Sequence, residues 1–198
     1  LDGLLPRPHS WIFADTGDEP EEVYEHVRVC EALIVNNGMQ FHTVRHPSGL
    51  SLSQFTMREM DKPKGSVPIP MFADSGSGRA GPITRNCTRD FKLWPIWRKL
   101  KELYKPKRGA KEPVAEVWVG ISLDETQRMK DSPRKWLDYQ YPLITMQPTH
   151  RHRLVTYLNK KLIDAPRSAC TFCPFHSNDE WLRIKKSPND WASAVMYE

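Results

Sequence analysis

The sequence has no apolar run close to the roughly 20 residues that span a bilayer; residues 32–35 are among its longest candidates. A helical membrane protein is thereby excluded, and no membrane partner is expected. No basic segment followed by an apolar stretch opens the chain, so no secretory signal is visible and a cytoplasmic location is expected. The chain starts at Leu1 rather than at methionine, and a further N-terminal segment is expected upstream. Cysteine is scarce: Cys30, Cys87, Cys170 and Cys173 are the only four in 198 residues. That excludes a disulfide scaffold and directs attention to metal or redox chemistry. There is no internal repeat, and no second Cys-x-x-Cys pair to make a conventional zinc site.

What remains is ordinary globular composition, 39% hydrophobic and 27% charged. The length suits one domain, or one with an appended subdomain, and is enough to bury a real core. Proline is abundant, 17 of 198 residues, against a usual share of roughly 5%. Short elements and many connections follow. Charge is segregated. Residues 1–31 hold eight acidic and two basic side chains, whereas residues 85–111 hold ten Lys or Arg against Asp90 and Glu102. Phe91, Trp94, Trp97 and Tyr104 interleave with this basic run. Such a segment can attract RNA or DNA phosphates and stack bases, with Lys92, Arg98, Lys99, Lys101, Lys105 and Lys107 as the surface. The plainer reading is a solvated helix face.

Trp11-Ile-Phe-Ala14 reads as a buried strand closed by Asp15-Thr16-Gly17. Asp18 fits the N-cap of a helix with Glu21 three residues on and Pro20 in its first turn. Val23, Val27, Cys30 and Ile34 mark its buried stripe, and Gly38 ends it. Residues 41–44 form a second strand. Residues 45–84 have little periodicity and read as one long connection or small insertion. A helix starts at Pro95 with Ile96, Leu100 and Leu103 inward. Residues 114–122 are a central strand, Tyr141-Pro-Leu-Ile144 an apolar turn, and residues 151–162 a helix. Ser177-Asn-Asp-Glu180 is a capping box for a last helix bearing Trp181 and Ile184. Alternating strands and helices predict an α/β fold with a mainly parallel sheet.

Ligands of open parallel sheets bind beyond the carboxyl ends of the strands. Two polar clusters occupy such positions. Asp15, Thr16, Gly17 and Glu19 could hold an anion or a ribose, or could simply form a capped βα turn. Gly120 and Ser122 keep the second strand end small. Beyond them Asp124 and Glu125 supply carboxylates and Arg128 a phosphate-gripping fork. The plainer reading there is a capped helix with an Asp124–Arg128 pair. One pocket lined by both turns, with Asp15, Gly17, Gly120 and Arg128 around an adenine nucleotide, is the expectation. The third cluster joins Cys87 to Cys170 and Cys173. Arg85, Arg89 and Lys92 would offset thiolate charge there. Three thiolates suit an iron–sulfur cluster or zinc, the latter completed by His150, His152 or His176. Buried free cysteines are the plainer alternative. Cys30 is excluded by its place on an apolar helix face.

Ala14-Asp15-Thr16-Gly17-x-Glu19, Arg85-x-Cys87-Thr-x-x-x-Lys92, Gly120-Ile-Ser-x-Asp124-Glu125-x-x-Arg128, Tyr141-Pro-Leu-Ile144 and Ser168-Ala-Cys170-x-x-Cys173-Pro-Phe occur in that order. Together they resemble the phosphoadenylylsulfate reductase-like branch of the PP-loop ATP pyrophosphatases, the adenine nucleotide alpha-hydrolase-like superfamily. The closest form looks like an uncharacterised bacterial and phage-borne group. The resemblance implies a Rossmann-like nucleotide-binding domain over residues 1–144 and a helical Cys-x-x-Cys segment over residues 145–198. It implies ATP with magnesium, an adenosine beside Asp15–Gly17, and phosphates near Arg128, with Asp124, Glu125 and Arg128 catalytic. The superfamily's Ser-Gly-Gly-x-x-Ser phosphate loop does not occur here; by resemblance it lies upstream or has been lost. A 4Fe–4S cluster on Cys87, Cys170 and Cys173 would leave one iron open, as expected of sulfur transfer, with zinc as the alternative metal. The family reductases' catalytic Glu-Cys-Gly-x-His string is absent.

The leading expectation is an enzyme that adenylates an oxygen, on a nucleic-acid base, and replaces it with sulfur. Two others stand beside it: a sulfonucleotide reductase, disfavoured by the missing nucleophile, and a non-catalytic, metal-stapled nucleotide- or nucleic-acid-binding module.

Overall fold

The apolar run at the start of the chain forms β1 (Ser10–Ala14), which pairs in parallel with β2 (Gln40–Val44). The register sets Ser10 against Gln40 and Ala14 against Val44. Parallel neighbours need a crossover, and α1 (Glu21–Asn36) provides it. Val23 and Ile34 of the expected stripe are buried, while Val27 and Cys30 are half-buried. Glu21 and Glu22 in the first turn favour the helix dipole. The capping expectation needs correction: Pro20 holds the N-cap position without a side-chain bond. The Glu21 amide donates instead to Asp190 Oδ1 at 3.3 Å. Asn37 Nδ2 donates to Leu33 O, and Gly38, at φ 74°, turns the chain out of the helix.

A computed structural model describes residues 5–62, 65–70, 72–74, 80–82, 85–161 and 163–197. They form a mixed α/β protein whose chain divides into two compact units. The β1–β2 unit comprises Ser10–Trp97 and Pro166–Glu198; the second comprises Leu1–His9 and Arg98–Ala165. No helix among the described residues is long and apolar enough to cross a membrane.

The stretch 45–84, expected as one long connection or small insertion, contains regular elements. It contains α2 (Leu52–Met60), and β3 (Phe72–Asp74) pairs antiparallel with β4 (Ala80–Pro82). Ser51 caps α2 by accepting from the Gln54 amide, and Gln54 reciprocates, a full capping box. A π-helical turn (Thr88–Leu93) runs directly into α3 (Trp94–Tyr104), so helical structure begins before Pro95. The core of this unit is Leu52, Ile69, Phe91, Cys170 and Phe172, with Phe55, Val67, Cys87 and Tyr197 packed on it. Phe91 is fully buried; a side chain of this kind contributes about 1.5–3 kcal/mol. His46 stacks on it at 4.4 Å, and Phe55 meets it edge-on at 5.4 Å. The expected last helix is α6 (Asn178–Lys186), with both halves of the Ser177–Glu180 capping box formed, and α7 (Pro188–Val195) follows it.

In the second unit β5 (Ala115–Trp118) pairs in parallel with β6 (Leu137–Gln140). A 3₁₀ turn (Leu123–Arg128) follows β5 where a capped α-helix had been the plainer expectation. The apolar turn at Tyr141 becomes α4 (Pro142–Thr145), and the expected helix runs as α5 (Arg151–Lys160), Leu162 lying outside the described residues. Leu100, Ile121, Leu137 and Tyr141 are buried. Tyr141 Oη both accepts from the Lys130 amide and donates to its carbonyl, fixing the loop before β6.

Candidate functional site: a buried carboxylate beside the cysteine turn

β1 delivers the chain into a turn in which every polar side chain is used. Asp15 is 3% exposed. Its Oδ1 accepts from the Gly17 amide (2.8 Å) and from Tyr24 Oη (2.9 Å); its Oδ2 accepts from Arg45 Nε (2.8 Å). Burial and the Asp15 charge push the Tyr24 phenol well above its usual range. Asp18 Oδ2 accepts from the Ser53 amide at 2.7 Å, so this side chain serves α2 rather than α1. Burial raises its carboxyl above the ordinary value. Gly17 takes φ 80° and lies directly against Ser51. The glycine thus admits the first turn of α2, and its amide is spent on Asp15.

Glu19 is the centre of the site. Its side chain is fully buried. Oε1 accepts from Lys92 Nζ at 3.0 Å and from Thr16 Oγ1 at 3.4 Å; Oε2 accepts from Ser168 Oγ at 2.9 Å. Thr16 Oγ1 lies 3.5 Å from Cys170 Sγ, and the Thr171 amide donates to Asp18 O at 2.9 Å. Three sequence-distant strings therefore meet: residues 14–19, residues 85–92 and residues 168–173. Burial opposes the charge of Lys92, but Glu19, Cys170 and Cys87 outweigh it and raise the ammonium's pKa.

The cysteine turn is closed by the Cys173 amide on Cys170 O (2.9 Å) and by the His176 amide on Cys173 O (3.2 Å). His176 Nε2 donates to Cys170 O at 2.8 Å, so this nitrogen braces the turn. His150 and His152 belong to the other unit. Cys87 is half-buried against the same core cluster that contains Cys170. Arg85 lies 4.7 Å over the Phe175 ring, tying its string to the residues after Cys173. Arg89 pairs with neighbouring Asp90. Cys30 is half-buried on α1, 3.3 Å from His26 Nε2. Among the described residues, no three His, Cys, Asp or Glu side chains are grouped to hold a metal ion.

Burial first, then the Glu19 charge, pushes the Cys170 thiol up to about 12. The thiolate is the reactive form. In metal-free protein at pH 8, Cys170 is accordingly expected to react with iodoacetamide at least tenfold more slowly than in urea. Mass spectrometry of timed quenches checks this; equal rates in the two conditions would refute the protonated, enclosed thiol.

The second cluster lies in the other unit. Ser122 is buried, and its Oγ is 3.5 Å from Asp124 Oδ2. Asp124 Oδ1 meets His150 Nδ1 at 2.9 Å, while Oδ2 accepts from the Arg151 amide at 2.5 Å. The Arg151 amide, then His150, hold the Asp124 carboxyl below its usual value. Arg128 pairs with Glu125, three residues away, and not with Asp124 as the plainer reading had it. A side chain at Gly120 would meet open space, so its smallness serves no contact. Arg45 and Tyr24 are the participants that motif reading did not name; Ser168 stood in a motif string without a role, and His150 was named only as a possible zinc ligand. Arg45 had a signal: parallel register sets Ala14 opposite Val44, which makes Asp15 and Arg45 neighbours. No protein-family model matches the chain, and no curated protein or solved structure matches it either.

Proposed function

We propose that the chain is the α/β domain of an ATP-dependent adenylating enzyme of the phosphoadenylylsulfate reductase-like, PP-loop type, with a Rossmann-like fold, acting in sulfur transfer to a nucleic-acid base. The observation that supports this reading is the meeting of three of its five motif strings around buried Glu19, through Lys92, Ser168 and Thr16. Cys170 and Thr16 are far apart in sequence, yet their side chains lie 3.5 Å apart beside Glu19.

In the reaction proposed, a base oxygen attacks the α-phosphate of magnesium-bound ATP. An oxygen–phosphorus bond forms, the bridge to the β-phosphate breaks, and pyrophosphate leaves. Adenylation turns a poor leaving group into a good one, which a sulfur nucleophile displaces as AMP. Arg128 would release Glu125 to grip phosphate, and Asp124 would orient His150 as the group that holds the proton at this end of its unit. The donor chemistry of Cys87, Cys170 and Cys173 suits a 4Fe–4S cluster, with Lys92 offsetting its negative charge. Bound there, the cluster would supply an open iron that carries sulfide. Zinc is the alternative metal on the same sulfurs.

Anaerobic purification should yield about four iron and four sulfide per chain, with visible absorbance lost in Cys87→Ser. Because Cys170 must lose its proton to bind metal, loading should rise with pH. ATP–pyrophosphate exchange that depends on added nucleic acid is the expected activity. Metal retained with no exchange under any substrate would replace this reading with the non-catalytic binding module. That second reading draws on Asp15 and Gly17, whose polar groups are already bonded within the protein.

A further inference from the structure

α5 is built unlike the other helices of its unit. Residues 151–160 contain no acidic side chain, and none of them is buried. Only Leu154 and Leu158, four apart, are partly covered, so the remaining circumference faces solvent. On that face Arg153, Tyr157 and Lys160 are neighbours by helical spacing. Arg151, Arg153 and Lys160 have no ion-pair partner among the described residues. On the basic run expected as the nucleic-acid surface, two of the six named cations are already engaged, Lys92 by Glu19 and Lys99 by Glu102. Residues 98–165 carry fifteen Lys or Arg against eight Asp or Glu, so the field around α5 is positive. Flat rings stand among the cations. Tyr157 is 40% exposed with Lys161 Nζ 5.7 Å from its ring, and His150 and His152 stack at 5.8 Å.

We propose that the exposed face of α5 is a track for single-stranded nucleic acid, with Arg153 and Lys160 on phosphates and Tyr157 and the His150–His152 pair under bases. The helix is about 15 Å long, and its first turn is fastened to Asp124. A strand laid along it therefore ends at the Asp124–His150 pair. Cations interleaved with exposed rings fit a strand whose bases are unpaired. A lipid surface fits poorly, because insertion requires an exposed apolar face and α5 turns both leucines inward. This assignment rests on the proposal that the substrate is a nucleic-acid base.

The test is fluorescence anisotropy with a labelled oligouridylate of about 20 nucleotides. Affinity should fall steeply with salt, each phosphate contact contributing about 0.7 to the log–log slope of a single strand. Arg153→Gln/Lys160→Gln should weaken binding about fivefold at low salt and flatten the slope by about 1.4. Tyr157→Ala should weaken binding about tenfold with the slope unchanged. Circular dichroism verifies folding of each variant. Unchanged affinity and slope in the double variant would overturn the track. So would a loss confined to Arg98→Gln/Lys101→Gln/Lys105→Gln, or tighter capture by anionic phosphatidylserine vesicles than by the oligonucleotide. ATP–pyrophosphate exchange assayed in parallel separates the two claims. Oligonucleotide binding that ignores α5 while exchange persists removes only the track; binding through α5 without exchange removes only the adenylation reading.

Discussion

Gly17→Ala is expected to destabilise the β1–β2 unit by about 3 kcal/mol or more. Two costs add. Gly17 holds φ 80°, a left-handed conformation that costs an L-residue roughly 1–2 kcal/mol. A Cβ built there would also lie 2.5 Å from Ser51 Cβ and 3.0 Å from Ser51 Cα. The second atom is backbone at the cap of α2, so no rotamer change relieves the clash, and overpacking of this kind adds about 1–3 kcal/mol. α2 carries Leu52 and Phe55 into the core, so the damage spreads beyond the turn. Urea unfolding read by tryptophan fluorescence measures it. Gly49→Ala is the control: that glycine has positive φ, at 72°, and open space around it. It should show the backbone cost alone. Equal losses at the two positions would refute the steric part of the argument.

Lys92→Met should cost about 3–5 kcal/mol, the usual effect of stranding one partner of a buried ion pair. Glu19 would keep Ser168 and Thr16 as donors but lose its only cation among the described residues. Adding Glu19→Gln should recover much of the loss, because an amide needs no counter-charge. The pair also predicts alkaline behaviour. The folded pKa of Lys92 is raised above its ordinary value of 10.5. Its contribution is therefore full below that value and is lost as pH rises through the folded pKa. Wild type and Lys92→Met should thus keep their full difference up to about pH 10.5 and converge only as pH rises beyond it. A single variant within about 0.5 kcal/mol of wild type at pH 7 would contradict the buried-pair account.

The elements legible in the sequence were those with strong local signals. β1 showed as a short apolar run, α1 by its stripe and α6 by its capping box. α2 was missed although Ser51 and Gln54 form an equally complete box, because its apolar face is only Leu52, Phe55 and Thr56 with methionines left outside. β6 was missed because Leu137-Asp-Tyr-Gln140 buries one residue and has no continuous apolar character. At the site, motif reading chose Asp15, Glu19, Lys92 and Cys170 but not their pairings. The Asp15–Arg45 pair follows from the parallel register of the two strands they close, but the Glu19–Lys92 pair depends on a contact across more than seventy residues, which leaves no local trace. The helix cap expected of Asp18 failed for the same reason. Its carboxylate found the amide of Ser53, and α1 was capped from Asp190 instead.

The β1–β2 unit is assembled from two stretches of chain with most of the other unit, Arg98–Ala165, encoded between them. This has a consequence for synthesis. Residues 10–97 leave the ribosome with Glu19 and Lys92 in place but without Ser168, Cys170, Phe172 or the Asp190 that caps α1. At about 5–20 residues per second, the intervening 68 residues take roughly 3–14 s to follow. Throughout that interval Leu52 and Phe91 lack two of their core neighbours, and a carboxylate destined for full burial remains accessible to water. The nascent chain is therefore most vulnerable to aggregation and proteolysis in its first half, while the contiguous stretch Arg98–Ala165 has no comparable wait.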